Sequence, residues 1–368
     1  MEAQQLGNRI REERERARLS QGELASQSSL ERTAISKIES GTRKITALEL
    51  SRVAEALGVR MGRLLESPTP AVVSHRSSQG LDVVESRVDG LLDELAQEVE
   101  FVQKLVPEIV SIDAPVREGF TPPATTDEAE ALAGAARAHL NLDPYSPVKR
   151  LPEVVATVGL WAFSSDFGAD TADAGMVMLR TGGVALVNSH NKVGRRRLAL
   201  AHELGHYLIQ DEYTVDWRVS DPKTGIESRL DRFARAFLLP GRGLTQSWPG
   251  RLQRLGLRDA AVVTASEFQV DMSTLARRLS ELGLEGDGAA IRSTQTVQAD
   301  IIEYGLNVSV DLEGTSLPEA YKRAIIALYR DRRISVERTL ELLRDTLTDE
   351  DLPPRRTRVE GELWNFVS

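Results

Sequence analysis

The chain has 368 residues, no cysteine and a formal net charge of −9. This length suggests two or three domains, and the missing cysteines exclude disulfides, thiolate metal sites and thiol catalysis. The acidic balance argues against a chain that binds nucleic acid along its whole length. Residues 1–66, however, carry a net charge of +2, so the sequence predicts a local nucleic-acid site at this end.

Nothing in the sequence predicts a membrane or export segment. No apolar run approaches the roughly 18 residues that a membrane span needs. The first twenty residues are charged and lack the apolar stretch of a signal peptide. Because a chain without disulfides also fits a reducing compartment, we expect a cytoplasmic protein with no membrane partner.

Residues 1–68 are predicted to form a bundle of five short helices that contains a helix-turn-helix. Ser20 can cap one helix, with Glu23 completing a capping box, and a turn at residues 27–29 separates it from a second helix, Glu31 to Glu39. The second helix exposes short polar and basic side chains, which a major groove can accept. We therefore predict a DNA-binding domain.

The segment LSQGELASQSSLERTAISKIESGTRKI, followed by LSRVAEALGV, resembles the helix-turn-helix domains of the phage-repressor (XRE/Cro) type. Serine replaces the family's usual turn glycine. The resemblance implies that operator DNA is a partner and that Gln21 contacts phosphate. It also implies that residues of the second helix lie at or near the bases, namely Arg32, Thr33, Ser36 and Lys37. Arg43 and Lys44 follow this helix and could grip the phosphate backbone.

Residues 69–127 are predicted to be a linker that contains one long amphipathic helix, 81–110. Apolar residues recur there in steps of three and four, with Glu98 at the one charged position of the seam. These residues are Leu81, Val84, Val88, Leu91, Leu95, Val102, Leu105 and Ile109. Two interpretations stay open: a helix that lies on its own protein, or a coiled coil that joins a homodimer.

Residues 128–290 are predicted to form a mainly helical domain with a small β-sheet, which makes the fold class α+β. The pattern predicts a β-hairpin from residues 175–181 and 184–189, whose edge could accept an extended peptide by β-addition. Helices are expected at about 128–140, 194–210 and 227–239. Residues 291–368 are predicted to be a helical C-terminal region with a loose tail.

His202, Glu203 and His206 form an HExxH motif in the segment AHELGHYLI. On a helix the two histidines lie one turn apart on the same face, where both imidazoles can bind one ion. Glu203 is then placed to take a proton from an activated water. The apolar residues around the motif predict that the helix is buried.

A catalytic zinc ion needs a third protein ligand and one open position. No further histidine has a suitable spacing, so a carboxylate is expected. The candidates are Asp211, Glu212, Asp216, Asp221, Glu227 and Asp231. Glu227 opens an amphipathic helix that could cross the first one, and Asp231, one turn on, could orient a histidine ligand.

The stretches VALVNS, GRRRLALAHELGHYLI and ESRLDRFARAFLLP resemble the ImmA/IrrE family of metallopeptidases over roughly residues 145–283. The resemblance implies zinc bound by His202, His206 and Glu227, with Glu203 as the general base. The family commonly has asparagine at the position of Asp231. Its members cut one dedicated repressor in a stress or mobile-element switch.

The sequence thus predicts a DNA-binding transcription regulator with a zinc-dependent endopeptidase domain, whose protein substrate is a repressor: the chain itself or a partner. Two alternatives remain open. The second domain could sense a ligand or partner without proteolysis, or it could be the partner-binding module of an antitoxin-like repressor. Tyr207 and His190 are possible supports for an oxyanion, although the sequence favours a structural role for each.

Overall fold

The structure is a computed structural model that describes residues 3–17, 19–57, 59, 61–65, 73–76, 82–107, 119–169, 171–210, 225–306 and 309–356. The chain divides into two compact units, Met1–Thr69 and Pro70–Ser368. No helix in these ranges is long and apolar enough to cross a membrane. The predicted α+β fold class, with a helix-turn-helix domain at the N-terminus, is confirmed.

The described residues of the first unit form five helices, as predicted. They are α1 (Ala3–Arg16), α2 (Gln21–Gln27), α3 (Arg32–Glu39), α4 (Ala47–Ala56) and α5 (Met61–Leu65). Ser20 caps α2 in a full capping box with Glu23, and Thr46 caps α4 in the same way with Glu49. Such caps satisfy backbone N–H groups that a helix leaves unpaired at its start, which is why short helices are well defined here. Their apolar faces meet in one core around Ile10, Leu24, Ile35, Ile38 and Val53.

A buried carboxylate, which the sequence analysis missed, ties α1 and α2 to the end of α3. The Glu39 side chain is fully buried, and its Oε1 accepts a 2.6 Å hydrogen bond from Nε of Arg14. The other oxygen accepts from Gln21 Nε2 at 2.8 Å. Close packing at the same place requires Gly7, because a Cβ there would lie 2.2 Å from the Ile38 carbonyl oxygen.

The second unit is organised around a four-stranded sheet. Its strands are β1 (Val73–Arg76), β2 (Leu160–Ser165), β3 (Ala174–Met178) and β4 (Gly183–Asn188), in the order β1-β3-β4-β2. Strands β3 and β4 form the predicted antiparallel hairpin, and β2 lies parallel to β4. Strand β1 pairs antiparallel with β3, so part of the predicted linker belongs to the sheet.

Helices surround this sheet. They are α6 (Asp82–Leu105), α7 (Thr126–His139), α8 (Leu151–Ala156), α9 (Val193–Ile209), α10 (Ile226–Leu238), α11 (Gly241–Phe268), α12 (Met272–Glu281), α13 (Gly288–Ser293), α14 (Gln298–Tyr304), α15 (Glu319–Arg330) and α16 (Val336–Leu342), followed by a 3₁₀ turn at Asp349–Asp351. Helix α11 is interrupted at Gly256, whose φ of 77° is left-handed.

The sheet separates two apolar cores, since successive strand residues point to opposite faces. On β4, Ala185 and Val187 join the core formed with α7, α9 and α10. Val184 and Leu186 join the other core, formed with α6 and α15. Both faces of β2, β3 and β4 are therefore buried, and α9 is held against one of these faces.

These contacts correct the predicted boundaries at 69–127 and 291–368. Helix α6 and the C-terminal helix α15 both pack on the sheet of the second unit, so neither region is separate from it. The face that includes Val88, Leu95 and Val102 is buried in this core, which corresponds to the interpretation of a helix lying on its own protein. The charged seam residue Glu98 is also buried, and its Oε2 accepts a 2.8 Å hydrogen bond from Arg344.

Candidate metal centre and DNA-binding helix

Helix α9 carries the HExxH residues through the interior of the second unit. His202 is 2% exposed, and Glu203 and His206 are 0% exposed. The neighbouring residue Gly205 lets α10 approach closely, because a Cβ there would lie only 2.9 Å from Cδ1 of Phe233. Burial of two imidazoles and a carboxylate is costly unless they have polar or metal partners, so the surroundings of these side chains decide what the site can do.

Glu227, in the first turn of α10, meets both histidines. Its Oε2 lies 3.1 Å from Nε2 of His202, and its Oε1 lies 3.4 Å from Nε2 of His206. The two Nε2 atoms are themselves 3.1 Å apart. Glu227 thus faces each histidine with a different carboxylate oxygen, so the three side chains, from two helices, form a triangle. Among the described residues this is the group of three that could hold a metal ion.

The size of this triangle can be compared with the requirements of a metal ion. A tetrahedral ion with ligands at about 2.0–2.1 Å holds its donor atoms about 3.3–3.4 Å apart. The three measured separations lie at or slightly below this value. Two facing imidazole nitrogens and a carboxylate are also a donor set that borderline divalent metals prefer. The residues present therefore fit a tetrahedral ion.

Asp231 lies one helical turn after Glu227 and contacts the other side of the His202 ring. Its Oδ1 is 3.0 Å from Nδ1 of His202. Burial lowers the pKa of His202, but the hydrogen bonds to Asp231 and Glu227 outweigh it and raise that pKa above its usual value. Burial raises the pKa of Glu227, but hydrogen bonds from His202 and His206 outweigh it and hold that pKa far below its usual range.

The remaining candidates from the sequence are not part of this cluster. Asp211, Glu212, Asp216 and Asp221 lie outside the described residues. The Tyr207 hydroxyl donates a 2.6 Å hydrogen bond to the carbonyl oxygen of Val158. His190 is nearly half exposed and lies 3.3 Å from Asp166.

In the first unit, the residues predicted to contact bases lie on the accessible side of α3. Arg32, Thr33, Ser36 and Lys37 are exposed, as is Lys44 beyond the helix. Two predicted phosphate contacts have protein partners instead. Gln21 donates to the buried Glu39, and Arg43 donates a 2.6 Å hydrogen bond to Glu49, the capping residue of α4.

Comparisons with known proteins agree with both halves. Residues 10–64 match the family model described as helix-turn-helix, and residues 158–280 match the IrrE N-terminal-like domain of peptidase family M78. The chain joins a helix-turn-helix DNA-binding domain to an IrrE-like peptidase-family domain. No curated protein and no solved structure matches the chain significantly. The matched part of the IrrE-like domain contains α9 and α10, whereas β1, α6 and α15 lie outside the match.

The run of three arginines at the start of α9 has a structural explanation in the IrrE-like domain. Basic side chains are unfavourable near a helix N-terminus, but each of these has acidic or carbonyl partners. Arg195 donates to Asp173 at 3.0 Å, and Arg196 donates to the carbonyl oxygen of Asp311 at 3.0 Å. The fully buried Arg197 pairs with the Asp311 carboxylate. These contacts fix the start of the helix that carries the histidines.

The predicted peptide-accepting edge of the hairpin is β3. In the IrrE-like domain this edge is covered, because β1 pairs with β3 from Val73 opposite Val177 to Arg76 opposite Ala174. On the far side of the sheet, Ser164 of β2 pairs with Ser316 through two backbone hydrogen bonds of 3.0 and 3.2 Å. Strand β1 therefore covers β3, and a segment of the same chain also contacts β2 at Ser164.

Proposed function

We propose that this chain is a transcription regulator that binds operator DNA and hydrolyses a peptide bond in a repressor-type protein with a bound zinc ion. His202, His206 and Glu227 would hold the zinc. The observation that carries the proposal is the triangle of side chains in a domain that matches peptidase family M78: the two Nε2 atoms lie 3.1 Å apart, and oxygens of Glu227 lie 3.1 Å from the one and 3.4 Å from the other. A role in sensing alone does not require the buried Glu203 beside this triangle.

Each side chain has a definite task in the proposed reaction. Asp231 accepts the Nδ1–H of His202, so that the Nε2 lone pair is directed into the triangle. When bound, zinc supplies Lewis-acid activation of water and of the scissile carbonyl. Glu203 accepts a proton from the attacking water and returns it to the leaving amine, so that one C–N bond breaks as one C–O bond forms.

The DNA-binding half gives the proposal its biological setting. The exposed side chains of α3, including Arg32 and Lys37, suit contact with bases and phosphates in a major groove. A protease attached to such a helix would act where repressors bind. The proposed substrate is therefore a repressor that shares the operator: a second copy of this chain or a partner. We also propose that the chain forms a homodimer, but the apolar face of α6 is not its interface.

The test compares the wild type with Glu203→Gln and with Glu153→Gln, a control at a partly exposed glutamate that pairs with Arg150. Metal content is measured by mass spectrometry. Hydrolysis is measured on a tagged Glu203→Gln copy of the chain and on a library of random peptides. We expect zinc in all three proteins and a loss of about 10²–10⁴-fold in hydrolysis by Glu203→Gln alone. Zinc without hydrolysis by the wild type would instead favour a regulator that senses a ligand or partner.

A further inference from the structure

Strand β3 has a neighbouring strand along each of its two backbone edges. One side of β3 pairs with β4 inside the sheet, and the other side pairs with β1. Strand β1 comes from residues that precede the matched IrrE-like region. Its pairing with β3 is antiparallel, in the register Val73 to Val177 and Ser74 to Met176. This is the arrangement by which an extended peptide adds to a sheet edge.

Strand β3 runs alongside α9. At one end, Arg195 in the first turn of α9 pairs with Asp173, which immediately precedes β3. At the other end, the Tyr207 ring lies against Gly183, the residue paired with Met178. Linear interpolation between these two contacts gives the position of each histidine along β3: His202 lies level with Met176, and His206 lies between Val177 and Met178. The backbone of β1 opposite these positions is that of residues Val73 and Ser74.

We propose that the outer edge of β3 is the peptide-binding edge of the candidate metal site, and that residues Val73–Arg76 occupy it as an intramolecular strand. This inference rests on the proposed function. The partner that fits the edge is an extended, antiparallel peptide segment recognised chiefly through its backbone. A protein substrate must therefore displace β1 before its peptide bond can reach the level of His202.

Because β1 belongs to the same chain, it competes effectively with a free peptide for the outer edge of β3. A segment joined to its site by a short connection acts at an effective concentration in the millimolar range. A free peptide of equal intrinsic affinity must exceed that concentration to displace it. The site is thus closed at rest, and any event that pulls residues 73–76 from β3 opens it. Since α5 ends at Leu65 and β1 begins at Val73, only residues 66–72 separate this strand from the DNA-binding unit.

The experiment uses the full chain carrying Glu203→Gln, so that nothing is cleaved. In one variant, Ser74→Pro and His75→Pro remove two adjacent backbone N–H groups. Successive N–H groups of a strand point to opposite sides, so one of these two must face β3. The matched control, Ser74→Ala with His75→Ala, keeps both N–H groups. The probe is a fluorescein-labelled peptide of residues 69–80, followed by fluorescence anisotropy. A second peptide with proline at the same two positions is the negative probe.

We expect the proline variant to bind the labelled peptide at least about tenfold more tightly than the alanine control does. Hydrogen exchange of the segment that contains β3 should be at least about tenfold faster in the proline variant and slow again when peptide is added. The proline-containing peptide should bind neither protein. Equal peptide binding by the proline and alanine variants, with both folded and both loaded with zinc, would overturn the proposal.

A second variant does not depend on tolerance of proline. Because the chain has no cysteine, Ser74→Cys with Met176→Cys introduces a single thiol pair at directly opposed positions. Opposed strand residues have Cα atoms about 4.5–5.5 Å apart, within the range of a disulfide. The oxidised protein should not bind the peptide, and reduction should raise binding to the level of the alanine control. Failure of the disulfide to form would contradict the pairing. Because the wild type is closed at rest, hydrolysis is measured with the proline variant that retains Glu203. Absence of hydrolysis by this open variant would contradict the proposed function but leave the binding result intact.

Discussion

Nδ1 of His202 lies 3.0 Å from Oδ1 of Asp231, although the two residues belong to different helices. The contact fixes which nitrogen of the imidazole carries the proton, since the carboxylate accepts from Nδ1–H and leaves the Nε2 lone pair free for a metal. Helix α10 supplies both this acceptor and Glu227, because the two residues are one turn apart on the same face.

Replacing Asp231 tests this orienting contact. Asp231→Ala removes the acceptor, and we expect zinc affinity to fall by about 10–100-fold. Asp231→Asn keeps an oxygen that can accept from Nδ1–H, so its loss should be several times smaller. Competition with a chromophoric chelator measures both affinities. If the alanine variant bound zinc as tightly as the wild type, Asp231 would have no part in orienting His202.

Replacing Arg32 and Lys37 by alanine tests the reading face of α3. We expect the free energy of binding to an operator selected from random DNA to weaken by about 1–3 kcal/mol for each base that the variant no longer binds. If these side chains also bind phosphates, the DNA affinity should depend less steeply on salt concentration. The charge-matched control replaces the exposed Arg254 and Arg277 of the second unit. Anisotropy at several salt concentrations measures both. Equal losses in the two proteins would mean that only net charge matters.

Glu130 should make stability depend on pH. Burial raises its pKa, but the hydrogen bond and charge of Arg278, followed by those of Arg232, outweigh burial and leave the pKa below its usual value. The ionised Glu130 carboxylate, paired with Arg278 and Arg232, thus stabilises the fold fully above the pKa of about 4.3 that a glutamate has in the unfolded chain. This contribution is lost as the pH falls through the lower pKa of Glu130 in the folded protein.

We therefore expect Glu130→Gln to lower the free energy of unfolding by about 1–3 kcal/mol at pH 7, because Arg278 is fully buried. The difference from the wild type should shrink as urea titrations are repeated from pH 5 towards pH 3, a range set by the unfolded pKa of about 4.3. The control Glu153→Gln, at an exposed pair, should cost less than about 0.5 kcal/mol. A difference that stayed constant with pH would show that the charge of Glu130 is unimportant.

Ser29 stands in the turn between α2 and α3 with a φ of 55°. A side chain in this left-handed conformation costs roughly 1 kcal/mol relative to glycine. Ser29 is exposed, so Ser29→Gly removes no buried side chain and should raise the free energy of unfolding of the first unit by about 0.5–1 kcal/mol. Ser26→Gly, inside α2, should lower it by about 0.5 kcal/mol. Stabilisation of both variants, or of neither, would contradict this account of the turn.

Local patterns in the sequence were sufficient to predict the elements that carry function. The capping residues Ser20 and Glu23 predicted the start of α2, and the spacing of His202 and His206 predicted a shared helical face. Glu227 could be placed among the candidate ligands because its helix is strongly amphipathic. Each of these inferences depends on residues only a few positions apart, where helix geometry is fixed.

Long-range relationships could not be predicted in the same way. The a/d pattern of α6 is the same whether its apolar face meets another chain or the sheet of its own chain, and only the structure places Val99 and Tyr321 in one core. The partners of Arg197 and Glu98 are Asp311 and Arg344, far away in sequence. Strand β1 is short and follows a Ser- and Pro-rich segment, so no periodic signal distinguishes it from a linker.

The proposed function requires that His202, His206 and Glu227 hold one zinc ion. Crystals of the zinc-loaded protein, measured on both sides of the zinc absorption edge, test it most directly. We expect one anomalous peak about 2.0–2.1 Å from both Nε2 atoms and from a carboxylate oxygen of Glu227, with one coordination position left for water. A peak at another position would contradict this expectation. So would a structure with no peak at this site in which the three side chains point away from one another.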